Sequence, residues 1–343
     1  MKKKIFNILK VIVPLLLAVY LCWYFWNSFS ENERVAFIDV FKESNYFILF
    51  ISILIGLISH ISRAIRWRYM LKPLGYEPPL LNAYNAIMIG YVANLIVPRM
   101  GEASRAAVLK GTDDVPFDKG FGTIVAERVI DFLCLAIVAG IAMLINLDNM
   151  GDLISLANDI SAPKPGTEAG LPWIKIIVFG VIGVGFLGFV FLYLTKPAFK
   201  AKFLGFVKGF IIGLKTIFTM ENKWAYLFHT CLIWACYVYM FWITFYAWDE
   251  TSDLSPDVIL SAFIAGTIGF IIMQGGIGTY QLLVASVLTF YVAPEVLVSG
   301  TVLPEFFGFA TLVWATQTVL TVFLGLLALG MVQVNKKKKA NLA

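Results

Sequence analysis

Charge is scarce in this sequence. Lys, Arg, Asp and Glu make up 14% of its 343 residues, against about 25% in an ordinary soluble domain. Long polar stretches are missing too: none reaches the roughly 50 residues that an independent soluble domain needs, which leaves no place for a soluble catalytic domain. Histidine occurs only twice and cysteine four times. His60 and His229 stand alone in apolar runs, where packing or interhelix hydrogen bonding is their expected role. Cys22, Cys134, Cys231 and Cys236 lie within apolar blocks without metal-ligand spacing and are expected to be small membrane-buried hydrophobes. No phosphate-binding loop, nucleophile elbow or metal-ligand cluster occurs. The sequence therefore assigns no catalytic residue, metal or cofactor.

What is present is apolar. Hydrophobic residues make up 59% of the chain and the mean hydropathy is +0.81, which specifies an all-α, polytopic integral membrane protein. Apolar blocks fall at 5–26, 46–62, 82–97, 121–147, 173–194, 224–248, 258–273, 277–292 and 305–330. A crossing helix needs about 20 apolar residues, and the blocks at 82–97, 258–273 and 277–292 fall short. Lys2 to Lys4 precede a run that continues through Trp23, Tyr24 and Trp26 with no small-residue cleavage site, so an uncleaved first helix is expected. The net charge of +5 sits in clusters beside apolar blocks. That placement points to topology and lipid headgroups, not to nucleic acid.

Basic clusters mark the cytoplasmic side. They are Lys2–Lys4; Arg63, Arg66, Arg68 and Lys72; six lysines between 196 and 223; and the tail Lys336–Lys339. The segments 148–168 and 249–257 are acidic and belong outside. If block 82–97 crossed fully, the lysines of 195–223 would land outside. A re-entrant hairpin that returns through 99–112, with Pro98 to Gly101 at its tip, restores every cluster to its side; an amphipathic helix lying on the inner surface is the alternative. The glycine-rich joint Met273 to Gln281 and the two short blocks it links suggest a second hairpin, 258–292, entering from the outside; two full crossings give the same parity and are the alternative. The order crossing, hairpin, crossing then occurs twice, at 46–147 and 224–330, as in an inverted repeat whose site lies between the halves. About six crossings plus two re-entrant hairpins follow. The chain divides into 1–45 (first helix and outer loop), 46–147, 148–223, 224–330 and a basic tail at 331–343. Within 148–223, residues 198–218 repeat Phe at helical spacing and suit either an inner-leaflet amphipathic helix or packing on neighbouring helices.

The chemistry concentrates in two charged motifs inside apolar sequence. The first is Asn94 to Arg105, with Arg99, Glu102 and Arg105; the second is Glu127-Arg128 with Asp131. Bare charge at membrane depth costs several kcal/mol, so it persists where it is paired or lines a polar cavity. Glu127 and Asp131 are four apart and share a helix face; two such carboxylates need a cation, from Arg99, Arg105, Arg128 or a cationic headgroup. Arginine suits phosphate because its planar fork donates two parallel hydrogen bonds. An interhelix ion-pair network without a ligand is the alternative. Glu305, beside Pro304, is either a functional acid or a helix cap.

Asn94–Arg105, Glu127–Asp131 and Gly275-Gly276-Ile277-Gly278-Thr279-Tyr280 form an ordered set. In this set the chain resembles the lysylphosphatidylglycerol synthase/flippase transmembrane family over roughly residues 40–330. The family usually has Pro before the two glycines, where this chain has Gln274. The resemblance implies a flippase-like membrane part. It also implies no lipid synthesis, since the soluble aminoacyl-transferase domain of the bifunctional members is not in this sequence. The expected substrate site comprises Arg99, Glu102, Arg105, Glu127, Arg128, Asp131, Gly275, Gly276, Gly278 and Tyr280. The leading expectation is movement of a phospholipid or polyprenyl-phosphate-linked lipid between leaflets of the cell (inner) membrane. Both termini are expected in the cytoplasm and membrane lipid headgroups are the expected partners. A homo-oligomer and a separate lipid-modifying enzyme are further candidate partners. The alternatives are a membrane subunit or enzyme in lipid-linked sugar or aminoacyl transfer, and a secondary transporter of a small anion.

Overall fold

The computed structural model describes residues 29–97, 100–147, 220–298 and 301–342, with positions 20, 23, 26, 27, 151 and 194–197 besides. Most of the expected first helix at 5–26 and of the block at 173–194, the stretch 198–218, and Pro98 and Arg99 lie outside the described residues. Among the described residues every regular element is a helix. The longer ones are α1 (Glu31–Glu43), α2 (Tyr46–Leu71), α3 (Leu80–Ile96), α4 (Met100–Asp113), α5 (Phe117–Ile145), α6 (Lys223–Thr244), α7 (Pro256–Ile272), α8 (Thr279–Val292) and α9 (Pro304–Leu342). α2, α5, α6 and α9 are long and apolar enough to cross a membrane, while α3, α7 and α8 are shorter apolar helices.

Local sequence sets these boundaries. Ser30 starts α1 through a capping box: its hydroxyl accepts from the Glu33 N–H, and the Glu33 carboxylate accepts from the Ser30 N–H. Residues 31–43 are thus a helix within the segment expected as an outer loop, and Ser30-Glu31-Asn32-Glu33 is its start signal. Asn45 caps α2, and α2 ends in a Pro73-containing turn that Gly75 closes at φ +86°. α9 continues past the apolar block through the basic tail as one helix to Leu342.

α2 is polar inside and apolar outside. Ser52, Gly56, Ser59, Arg63 and Arg66 are buried, while Phe47, Phe50, Leu54, Ile58 and Ile61 are exposed. That pattern suits a hydrocarbon solvent, which accepts apolar side chains and drives polar ones inward.

α3 and α4 form an antiparallel hairpin. The Asn82 amide donates to Asp113 at 2.8 Å, the Arg105 stem lies over Gly90, and the Gly101 N–H donates to Asn94 at 2.6 Å next to the tip. At 17 and 14 residues, the legs span about 25 and 21 Å, less than the roughly 30 Å apolar core of a bilayer. α7 and α8 form a second hairpin, joined by Gln274–Gly276. Gly275, Gly276 and Gly278 there have φ of +68°, +70° and +80°, a conformation open to glycine at little cost.

The packing has a near-exchange symmetry. α2 packs on α6; α3 on α4 as α7 on α8; α4 on α5 as α8 on α9; and α3 on α9 as α7 on α5. Swapping the first four helices (α2–α5) with the second four (α6–α9) leaves this scheme unchanged, as a doubled unit requires. The two hairpin tips meet: a Cβ built on Gly275 would lie 2.8 Å from Leu95 Cδ2. One core, around Phe245, Leu288 and Phe309, joins α1, α6, α7, α8 and α9. A second, around Trp67, Ile87, Leu109 and Ile124, joins α2 to α5 with Ala328 and Val332 of α9, and a third, smaller one gathers Met70, Ile130, Met220 and Tyr226.

Candidate functional site

The four-residue spacing on α5 turns Glu127 and Asp131 to one inward face, where both are buried. Glu127 stands ten residues inside α5, about 15 Å from its start at Phe117. α2 brings Arg63 and Arg66 to the same point, three residues apart on one face. α4 brings Arg105, and α5 adds Arg128. The guanidinium of Arg66 donates to Glu127 Oε1 at 2.8 Å and that of Arg105 donates to Oε2 at 2.8 Å. Arg63 Nη1 lies 3.3 Å from Oε1 of the same carboxylate. Asp131 Oδ1 lies 2.9 Å from Arg66, and Oδ2 lies 3.2 Å from Arg63 and 3.6 Å from Arg128. Four guanidiniums thus surround two carboxylates, and four positive less two negative charges leave an excess of two.

Aromatic side chains hold the forks. Arg105 stacks on the Trp67 ring at 4.4 Å, and Trp67 donates its indole N–H to Thr123 at 2.9 Å. Arg66 lies over Tyr226 and Arg63 over Tyr237, each 5.7 Å from the ring centre. Gly90 gives Arg105 its route: a Cβ there would stand 2.8 Å from Arg105 Cγ and 2.9 Å from the Gly101 carbonyl. The Nε groups of Arg63, Arg66 and Arg105 and the Tyr226 hydroxyl are buried with no partner among the described residues. A buried donor without a partner is costly, so the cluster keeps unused donor capacity. Its most exposed member is Arg128, whose side chain is 43% exposed while that of Asp131 beside it is 10% exposed. An arrangement with surplus donors and surplus positive charge is suited to a phosphate or another compact oxyanion.

Of the expected site residues, the fold brings Arg105, Glu127, Arg128 and Asp131 together. Glu102 is not with them. It is half-buried in the first turn of α4, where a carboxylate complements free backbone N–H groups, and it makes no ion pair among the described residues. Arg99 lies outside the described residues. Gly275, Gly276, Gly278 and Tyr280 form the other hairpin tip. The Gly275 carbonyl there accepts from the Trp314 indole at 2.7 Å, the Gly278 N–H donates to Gln281 at 2.8 Å, and the Tyr280 ring packs on Gly266. The residues that sequence reasoning missed are Arg63 and Arg66, with Trp67, Tyr226, Tyr237 and Gly90 around them. The positive-inside rule puts Arg63 and Arg66 in a cytoplasmic flank, but both are buried within α2. Their three-residue spacing, matching the four-residue spacing of Glu127 and Asp131, was the available signal. His229 accepts or donates through Nδ1 to the Ser62 hydroxyl at 2.8 Å, an interhelix hydrogen bond as expected.

Comparison with known proteins supplies the wider context. The family model described as the lysylphosphatidylglycerol synthase TM region matches residues 11–315. Glycosyltransferase AglD of Haloferax volcanii is 32% identical over 126 residues, 36% of this chain and 20% of that protein. The UPF0104 membrane protein MJ1595 of Methanocaldococcus jannaschii is 38% identical over 69 residues, 19% of this chain and 20% of that protein. Each match thus spans about a fifth of the relative's length. No solved structure matches the chain. With nearly its whole length matched by one family model, the chain belongs to the lysylphosphatidylglycerol synthase transmembrane-region family, as an all-α membrane protein.

Proposed function

We propose that this protein moves a lipid with a phosphate in its headgroup between leaflets of the cell membrane, without hydrolysing ATP, and with its basic tail in the cytoplasm. The observation that carries the reading is the buried cluster of four arginines and two carboxylates, with its excess positive charge and one exposed guanidinium, Arg128. The arginines receive the phosphate, and the carboxylates hold the arginine forks in place or meet a headgroup amine. The second hairpin tip, Gly275 to Tyr280, belongs to the same route, since it touches Leu95 near the end of α3. Membership of the family supports a lipid-related role.

Arg128 offers the cleanest test because its exposure spares the fold. In reconstituted vesicles, Arg128→Ala should slow transfer of a labelled phosphatidylglycerol by about tenfold or more, the loss of one good charge-assisted contact. Thermal unfolding should stay close to wild type. Wild-type transfer no faster than in empty vesicles, across phosphatidylglycerol and polyprenyl phosphate alike, would end this reading. The similarity to a protein named as a glycosyltransferase favours one second reading, a membrane component of lipid-linked sugar transfer. That reading requires turnover of a sugar donor by the purified protein or by its complex with a separate enzyme.

A further inference from the structure

The arginine cluster is one end of a longer buried polar row. Ser52, Gly56, Ser59, Arg63 and Arg66 alternate by four and three residues along α2, which places them on one face, and all are buried. The row runs for about 21 Å along the helix, some two thirds of the roughly 30 Å apolar thickness of a bilayer. At its far end the Ser52 hydroxyl donates to the Met240 carbonyl at 2.7 Å and accepts from the Gln317 amide at 2.9 Å. Small polar residues between helices are by themselves ordinary packing. The row has more than that. His60, beside it, is 8% exposed, and its Nδ1 has no partner among the described residues. The Trp234 indole N–H, on the facing helix α6, is likewise buried without a partner. These are buried polar groups with hydrogen-bonding capacity unspent among the described residues.

An apolar groove of about 470 Å³ lies between the same two helices that the Ser52–Gln317 bond joins, α2 and α9. Leu49, Phe50 and Ile53 line one wall, and Ala315, Val319 and Phe323 the other. We infer that α2 is the track of the transported lipid, with the headgroup passing along the buried row between the arginine cluster and the Ser52–Gln317 pair while a hydrocarbon chain lies in the α2–α9 groove. The inference rests on the lipid-transfer reading above. The occupant is a lipid because one helix presents a polar row and, at the Ser52 end of that row, an apolar groove, and a lipid has both parts.

The test uses the full chain in phosphatidylcholine vesicles containing a trace of diazirine-tailed phosphatidylglycerol. Photolabel should concentrate on the groove, at Ala315 and Phe323, over the exposed Phe132–Ile137 face of α5. Ala315→Trp fills the groove from its open side, and should cut both labelling and transfer by about tenfold without lowering the unfolding temperature. In a cysteine-free background, Ser59→Cys should react with a small cationic methanethiosulfonate and lose transfer once modified, while the equally buried Ala310→Cys should not react. Equal labelling of groove and α5 face overturns the inference whatever the transfer rate. So does wild-type transfer by Ala315→Trp, or an unreactive Ser59→Cys. Selective groove labelling in a wild-type protein that transfers no lipid overturns the track through failure of the transfer reading, and leaves the groove as a lipid site.

Discussion

The two hairpins are built alike and used differently. Each is an antiparallel pair of short helices that cross at a glycine, Gly90 in the first and Gly269 in the second. Each packs against the final helix of the other half. Yet the first tip is held by a side chain, Asn94 on the Gly101 N–H, and its return leg sends Arg105 to Glu127. The second tip turns on three glycines at positive φ, with the Gly278 N–H on Gln281 and the Gly275 carbonyl on Trp314, and its helices carry no Lys or Arg. A duplicated frame thus separates two tasks. One copy bears the ionic chemistry, and the other supplies a neutral, tightly turned abutment.

The strongest way to break this comparison is to remove the centre of the charged half. Glu127 meets three guanidiniums within 3.3 Å, so Glu127→Ala leaves buried positive charge uncompensated. It should cost about 3–5 kcal/mol, read as a fall in unfolding temperature and in yield. Asp131→Ala should cost less, because its side chain is 10% exposed beside the exposed Arg128. Equal, small losses for both would mean that the cluster is not what holds α2, α4 and α5 together.

The charged half was also the more legible one. Arg105, Glu127, Arg128 and Asp131 stand out because charge in apolar sequence must find partners, and their convergence follows from that cost. The first hairpin was legible from the short block at 82–97 and the parity of the lysine clusters, and the second from two short blocks and the glycine-rich joint, which left two full crossings open. Arg63 and Arg66 were not, because they follow the apolar block at 46–62 and a basic residue there looks like the flank of a crossing. Only the continuation of α2 to Leu71 turns that flank into interior. Glu102 misled for the converse reason: it shares a motif with Arg105, but a carboxylate in the first turn of a helix has backbone N–H groups to answer. The capping box at Ser30 was legible and passed over. The meeting of Leu95 with Gly275 depends on how two distant segments pack, and no local pattern encodes it.

A finer test asks whether the two crossings differ in consequence. A Cβ at Gly90 would press on Arg105 and on the Gly101 carbonyl, and one at Gly269 would press on the Tyr280 backbone at 2.7 Å. Overpacking of this kind costs about 1–3 kcal/mol, so Gly90→Ala and Gly269→Ala should lower stability by similar amounts. In the transfer assay they should part company: Gly90→Ala displaces Arg105 from Glu127, and Gly269→Ala leaves the arginine cluster untouched. The expected outcome is a markedly lower transfer rate for Gly90→Ala at matched stability. Equal rates would place Arg105 outside the working part of the site.

The smallest expected effects compare the two tip closures directly. Asn94→Ala removes the acceptor for the Gly101 N–H, and Trp314→Phe removes the donor to the Gly275 carbonyl while keeping most of the aromatic bulk. Each deletes a hydrogen bond at its tip, and one such bond is worth about 1 kcal/mol. Asn94→Asp keeps an oxygen acceptor for the same N–H and should recover most of the loss, as acceptors of this kind do at helix starts. Because the two tips touch through Leu95 and Gly275, the double variant Asn94→Ala/Trp314→Phe tests whether they act as one unit. Residues in contact or sharing partners couple by about 0.5 kcal/mol or more, whereas independent sites add to within about that amount. Measured in thermal or denaturant unfolding, a non-additive sum ties the charged and neutral hairpins into one element at the centre of the protein. A strictly additive sum makes them two separate tips that merely abut.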